Sequence, residues 1–141
     1  MQNRDDIKDL GICLIGHSWS GYGSAAVLNL TQDIKAVCSI SGFVSPVIEM
    51  KQTALNKVGW IANLGFWTLE VGLFLRNNKH EFVSAIDGIN KAKNTKVMIV
   101  QGGLDKTVSL NASIYGNRKK ITNTNVEYRY YEDRDHINVF R

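Results

Sequence analysis

Proline and cysteine are both scarce in this sequence, which has one proline, Pro46, and two cysteines, Cys13 and Cys38, among 141 residues. So few cysteines, with no C-x-x-C or zinc-ligand spacing, exclude a disulfide-rich scaffold and favour a reduced chain. An apolar secretory segment is also lacking, because residues 1–8 are mainly polar and charged. The apolar share of 44% and charged share of 21% are ordinary for a globular protein. We therefore expect a single cytoplasmic domain.

The motifs that hold phosphates and metal ions are missing as well. No G-x-G-x-x-G, G-x-x-x-x-G-K-[ST] or H-E-x-x-H pattern occurs, and the three histidines are not at ligand spacing. The net charge is +4, but the basic residues are scattered, with a single run at 118–120. We expect no cofactor, no metal and no nucleic-acid partner.

Residues 58–75 form an 18-residue stretch without lysine or arginine, long enough to raise a membrane span. Polar residues recur there at every seventh position and place a polar stripe opposite an apolar one. They are Asn56, Asn63, Glu70 and Asn77. A carboxyl group at mid-membrane costs roughly 2.5 kcal/mol or more. The pattern therefore favours an amphipathic helix and no stable membrane insertion.

Apolar, β-rich runs alternate with helix-like segments, which is typical of parallel βαβ units. The first run is nearly all apolar, as in a strand that is buried on both faces. The alternation predicts an α/β fold: a mostly parallel four-stranded sheet in sequence order with crossover helices. The predicted strands are 11–16, 36–40, 96–100 and 126–131; the predicted helical segments are 21–30, an insertion over 47–90, and 109–121.

Ser18 lies in G-H-S-W-S-G (16–21), between a predicted strand and a predicted helix. A nucleophile elbow needs this arrangement, because small flanking residues let the strand and helix approach, and a helix N-terminus favours a developing anion. Ser20 stands where the G-x-S-x-G pattern has glycine, a difference of one hydroxymethyl group. Read alone, the segment also fits a serine that caps a helix after a strand.

Asp105 and His136 each follow another predicted strand, at the same edge of the sheet as Ser18. The chain order Ser, Asp, His is that of one catalytic architecture. Its chemistry needs a hydroxyl, an imidazole that accepts its proton, and a carboxylate that holds the imidazole tautomer. Asp133 and Asp135 compete for the acid role, but they lie too near His136 in sequence to reach its far nitrogen easily.

From the nucleophile strand to the histidine, this chain resembles the α/β-hydrolase superfamily, most closely its bacterial esterase, lipase and serine-aminopeptidase-like members. The residues that carry the resemblance are L-I-G-H-S-W-S-G (14–21), M-I-V-Q-G-G-L-D-K-T-V (98–108) and Y-Y-E-D-R-D-H (130–136). It implies that Ser18 is the nucleophile, His136 the general base and acid, and Asp105 the orienting acid. Trp19 would then donate a backbone N–H to the oxyanion hole.

The resemblance also implies a cap over 47–90 that covers the substrate, in a single partial domain spanning 1–141. His17, Trp60 and Trp67 are then candidate substrate-binding residues, although a plain core-packing helix explains the tryptophans equally well. The match covers about the second half of a family domain and leaves out the loop that donates a second oxyanion N–H, worth roughly 2.7–4 kcal/mol. The first strand would form an apolar sheet edge, open to a complementing chain or a second copy.

Three functional hypotheses follow. The first is a serine hydrolase of small acyl compounds such as esters and thioesters, or a peptidase or acyltransferase of the same superfamily. The second is a fragment that keeps the three residues without activity. The third is an interaction or membrane-surface protein that uses the amphipathic segment.

Overall fold

The computed structural model describes residues 11–31, 33–63, 65 and 83–140. These residues form one parallel sheet of four strands in the order β1-β2-β3-β4, which confirms the predicted fold class and strand order. The strands are β1 (Ile12–His17), β2 (Ile34–Ile40), β3 (Lys96–Gly102) and β4 (Val126–Tyr131).

The α-helices whose bounds lie within the described residues are α1 (Trp19–Ala26), α2 (Pro46–Val58) and α3 (Ala85–Lys91). Ser45 and Ser84 cap α2 and α3, each accepting a hydrogen bond of 3.3 Å from a backbone N–H in the first turn. Short 3-10 helices cover Val27–Asn29, Gly59–Ile61, Arg118–Lys120 and Asn138–Phe140.

The core lies between one face of the sheet and the helices α1 and α3. Val97 and Ile99 of β3 point into it two positions apart, as expected for a strand with alternating faces. Ile34 and Val37 of β2 lie three positions apart, because the register between β1 and β2 shifts at this point. The buried members of the core include Ala25, Leu28, Val37, Ile89, Val97 and Ile99. This packing anchors the helix that follows β1 and therefore positions the turn that carries Ser18.

The prediction that the first strand is buried on both faces is wrong. Ile15 of β1 is 77% exposed, and the second face of the sheet forms an open cleft. Strand residues such as Cys13, Ala36, Cys38 and Met98 line this cleft. A parallel strand is buried on both faces only when helices cover both, and within the described residues α1 and α3 lie against one.

The predicted helix over 109–121 does not form; the segment consists of turns and ends in a 3-10 helix. Its backbone groups bond instead to the loop after β2. Val44 N–H donates to the carbonyl of Ala112, and Ile114 N–H donates to the carbonyl of Gly42, both at 2.9 Å. A carbonyl and an N–H used in this way are withdrawn from the helical ladder, so tertiary contacts override the local helical pattern.

Of the predicted cap over 47–90, the structure describes α2, the 3-10 helix after it and α3, while 66–82 lie outside the described residues. The cap role therefore stays a prediction. No helix in the described ranges has both the length and the apolar character needed to cross a membrane.

Candidate active site

Ser18 occupies a strained turn between β1 and α1. Its φ of 58° and ψ of −117° place a non-glycine residue in a sparsely populated backbone region. Such strain costs about 1–3 kcal/mol and clusters at active sites. Two backbone hydrogen bonds hold it: Ser18 N–H donates to the Ile40 carbonyl at 2.9 Å, and the Ser18 carbonyl accepts from Tyr22 N–H at 3.0 Å.

Ser18 is the N-cap residue of α1, but its hydroxyl makes no capping hydrogen bond to the helix, so its side chain does not cap α1. Within the described part of the chain, the hydroxyl has no hydrogen-bond partner, and the residue is half-buried. Hydrogen bonds to a catalytic group often form only once substrate is bound. The geometry thus leaves this oxygen available for chemistry.

Gly16 and Ser20 show how the elbow accommodates a serine in place of glycine. A Cβ at Gly16 would lie 2.0 Å from the Ser20 carbonyl oxygen, so only glycine fits there. The Ser20 side chain is exposed; its hydroxyl donates to the His17 carbonyl at 2.9 Å and accepts from His17 N–H at 3.1 Å. The departure from the motif therefore adds two hydrogen bonds and no clash.

Asp105 and His136 form a close pair, with His136 Nδ1 at 2.7 Å from Asp105 Oδ2. The aspartate side chain is fully buried and the histidine side chain is 14% exposed. Since an ionised carboxylate only accepts, Nδ1 must carry the proton of this bond, which leaves Nε2 as an acceptor. A base that takes a proton from a serine needs this tautomer.

The protein holds the Asp105 carboxylate on every side. Oδ1 accepts from the backbone N–H groups of Thr107 at 2.9 Å and Val108 at 2.8 Å, and Oδ2 accepts from Gln101 Nε2 at 3.2 Å. These donors satisfy a buried charge that would otherwise be costly. They also aim Oδ2 at His136.

The competing acid Asp135 forms its hydrogen bonds within its own loop. Its carboxylate accepts from the backbone N–H groups of Ile137 at 2.9 Å and Asn138 at 2.7 Å, and from the Asn138 side chain. The backbone hydrogen bonds from Asn138 and Ile137 are the main reason that the pKa of Asp135 lies below its usual value. Asp133 forms an exposed ion pair with Arg134.

His17 links the elbow to the histidine loop. Its Nε2 lies 2.8 Å from the backbone carbonyl oxygen of His136, so this nitrogen donates. The two imidazole rings lie 4.6 Å apart, and Phe140 contacts the His17 ring edge-on at 4.7 Å. The residue before Ser18 thus touches the residue that would activate Ser18. No sequence signal indicates this contact, which spans 119 positions.

Replacing His17 by phenylalanine should lower kcat about tenfold with little change in KM, because one hydrogen bond that positions His136 is lost. Glutamine retains an N–H donor and should restore part of the loss. Steady-state kinetics on p-nitrophenyl acetate would measure both. An increase in KM with unchanged kcat would instead support the predicted substrate-binding role of His17, which stays a prediction.

Trp19 is the first residue of α1, so its backbone N–H has no partner inside the helix. The residue is 58% exposed and lines a groove of about 730 Å³ beside the Asp105 loop. Trp60, at 78% exposure, does not line this groove, and Trp67 lies outside the described residues. Other residues that line the groove include Glu49, Met50, Thr53, Lys57, Lys106 and Thr107.

Glu49, on α2, is a member of the site that sequence reasoning missed. It is 8% exposed, and Thr53 Oγ1 donates to its Oε1 at 3.3 Å. Its Oε2 is buried and has no hydrogen-bond partner among the described residues. Burial raises the pKa of this carboxyl, and the Thr53 hydrogen bond partly opposes that effect. Among all the residues that the structure describes, no group of three or more His, Cys, Asp and Glu side chains could hold a metal ion.

The fold resembles those of several solved esterases and peptidases. Acetyl xylan esterase 1 from Thermoanaerobacterium matches with a TM-score of 0.64 and 16% identity over 96% of this chain and 43% of that enzyme. A Pyrococcus furiosus esterase matches with a TM-score of 0.59 and 17% identity over 99% and 51%. The Pyrococcus horikoshii acylaminoacyl peptidase gives a TM-score of 0.62 and 16% identity over 93% and 20%.

This chain therefore spans about half or less of the length of these three proteins. Identities this low support the shared fold alone, and a search of curated proteins finds no match. The fold is the one expected from the resemblance to the α/β-hydrolase superfamily. A model of the prolyl oligopeptidase family matches residues 1–140, which is nearly the whole sequence. With the parallel sheet and the elbow in place, the chain belongs to the prolyl oligopeptidase family of α/β-hydrolases.

Proposed function

We propose that this chain carries the catalytic residues of a serine hydrolase that cleaves acyl bonds through an acyl-enzyme. The observation that carries the proposal is the arrangement of the strained Ser18 and the Asp105–His136 pair, which His17 links across 119 positions. Parallel strands deliver all three residues to one edge of the sheet, where active sites of open α/β sheets lie.

In this mechanism, His136 Nε2 accepts the proton of the Ser18 hydroxyl as its oxygen attacks the acyl carbonyl carbon. The Trp19 N–H stabilises the oxyanion that forms, aided by the N-terminus of α1. The imidazolium then gives its proton to the leaving group, and the acyl group remains on Ser18. Water, deprotonated by the same nitrogen, attacks the ester and releases the acid and the serine.

The substrate of this reaction is a small acyl compound, such as a carboxylic ester or thioester. The similar solved proteins include esterases and an acylaminoacyl peptidase, so a peptidase or acyltransferase activity of the same site is the second candidate. Both cysteines are free, which supports a cytoplasmic location. The position of β1 as an outer strand of the described sheet supports pairing with a complementing chain or a second copy.

A fluorophosphonate probe tests the proposal, because it reacts with a serine only when that serine is activated. The purified protein should be labelled and should hydrolyse p-nitrophenyl acetate, whereas Ser18→Ala should do neither. Ser20→Ala is the matched control and should keep the label, since the Ser20 hydroxyl bonds only the His17 backbone. A folded protein that neither reacts with the probe nor cleaves the ester would contradict the hydrolase proposal and support the hypothesis of an inactive fragment.

A further inference from the structure

The groove beside Trp19 contains an acid that the proposed mechanism does not use. Glu49 lines this groove with Trp19, while its Oε2 is buried without a hydrogen-bond partner among the described residues. Buried polar atoms are paired in the great majority of cases, because an unpaired one loses its hydrogen bonds to water without replacement. A carboxylate held in this way calls for a donor that the described residues do not supply.

Two lysines line the same groove, but neither is that donor. Lys57 and Lys106 are exposed, and neither ammonium lies within 4.0 Å of the Glu49 carboxylate. Their charges are solvated and contribute little across such a distance. Thr53 satisfies only Oε1.

Trp19 supplies the second half of a recognition site. Trp19 is exposed, and it lines the groove together with Glu49. An aromatic face and a carboxylate are the two protein groups that together recognise ammonium ions, the first through its quadrupole and the second through charge-assisted hydrogen bonds. Because Trp19 also offers the candidate oxyanion N–H, an ammonium bound there would lie near the reacting carbonyl.

From these observations we infer that the groove between Trp19 and Glu49 binds a protonated amine on the acyl part of the substrate. The inference rests on the proposed function and narrows its substrate class to amine-bearing acyl compounds. The ammonium donates a hydrogen bond to Glu49 Oε2, which has no other partner among the described residues. A bound ammonium favours the ionised form of Glu49, which burial alone disfavours, whereas a neutral group of the same shape does not, so the site discriminates between them.

Glu49→Gln is a suitable test variant because it is expected to fold. Burial raises the pKa of Glu49, so the native state holds this proton more tightly than the unfolded chain does. The stability that this provides is present below the pKa of the unfolded state and is lost as the pH rises through the native pKa. Glutamine has no such titration and retains an acceptor for Thr53.

Kinetics on two pairs of isosteric p-nitrophenyl esters measure the selectivity: alanine against isobutyrate, and 6-aminohexanoate against heptanoate. For at least one pair, kcat/KM should favour the amine about tenfold, as one charge-assisted hydrogen bond provides. The measure is the ratio of kcat/KM within each pair, and Glu49→Gln should bring this ratio close to one whatever its effect on the absolute rates. Glu127→Gln, on the exposed β4, is the control and should keep the preference.

Binding of n-butylammonium, followed through the ¹⁵N-labelled indole N–H of Trp19, tests the site without turnover. Trp19→Phe assigns the signal, which should shift in the native protein and in Glu127→Gln but not in Glu49→Gln. The inference is overturned if the indole does not respond or responds equally in Glu49→Gln, or if a protein that hydrolyses the esters shows no amine preference or keeps it in Glu49→Gln. Because the probe needs no catalysis, an ammonium response without Ser18 labelling would reject the hydrolase proposal and keep the binding site.

Discussion

Asp105→Asn is expected to lower kcat by roughly 10⁴-fold while the protein stays folded. The side chain keeps its shape, and the N–H groups of Thr107 and Val108 can still donate to the amide oxygen in the place of Oδ1. The amide nitrogen then takes the place of Oδ2 and donates to His136 Nδ1. His136 must therefore carry its proton on Nε2, where it can no longer accept one from Ser18.

The substitution also leaves Gln101 Nε2 facing another donor, so a modest loss of stability accompanies the loss of rate. Initial rates on p-nitrophenyl acetate, together with the rate of fluorophosphonate labelling, measure the effect. Asp135→Asn is the control and should stay within a few fold of the native rate, because that carboxylate bonds its own loop. Equal losses in the two variants would contradict the assignment of the orienting role to Asp105 alone.

Gly16→Ala is expected to destabilise the protein by about 3 kcal/mol or more and to abolish labelling of Ser18. The new Cβ would lie 2.0 Å from the carbonyl oxygen and 2.3 Å from the carbonyl carbon of Ser20. Both atoms belong to the backbone of α1, which cannot move aside as the end of a flexible side chain could. The helix must shift away from β1, and the strained backbone of Ser18 relaxes with it.

Thermal unfolding would show this as a fall in Tm of roughly 6–12 °C, at 2–4 °C for each kcal/mol. Gly23→Ala is the matched control in the same helix, because no atom outside the helix backbone lies within 4 Å of the added Cβ. Alanine there should stabilise by about 0.5–1 kcal/mol through helix propensity. If both variants unfold at the native temperature, the close approach of β1 and α1 does not hold the elbow.

Local patterns predicted the four strands well because each strand is a short apolar run between turn residues. The strand β4 matches its predicted range, and β2 and β3 extend theirs by two residues at one end. The predicted helix over 109–121 was wrong for the converse reason. Its periodicity is compatible with a helix, but the loop after β2 takes its backbone hydrogen bonds.

For the candidate site, too, some features could be predicted from local sequence and others could not. The positions of Ser18, Asp105 and His136 just after three parallel strands could be predicted, since the ends of such strands share one edge of the sheet. The contact of His17 with His136 and the burial of Glu49 could not. Each depends on how elements far apart in the chain pack. A histidine or a glutamate in the sequence does not by itself indicate which contacts it makes or whether it is buried.

The sequence by itself determined the α/β class, the order of the strands and the three residues of the candidate triad, because periodicity and position after a strand are local properties. Only the tertiary structure decided that Asp105, not Asp135, reaches His136, that Glu49 Oε2 is buried with no hydrogen-bond partner among the described residues, and that one face of β1 is exposed. These outcomes depend on distances between separate elements, which are set when the helices pack on the sheet.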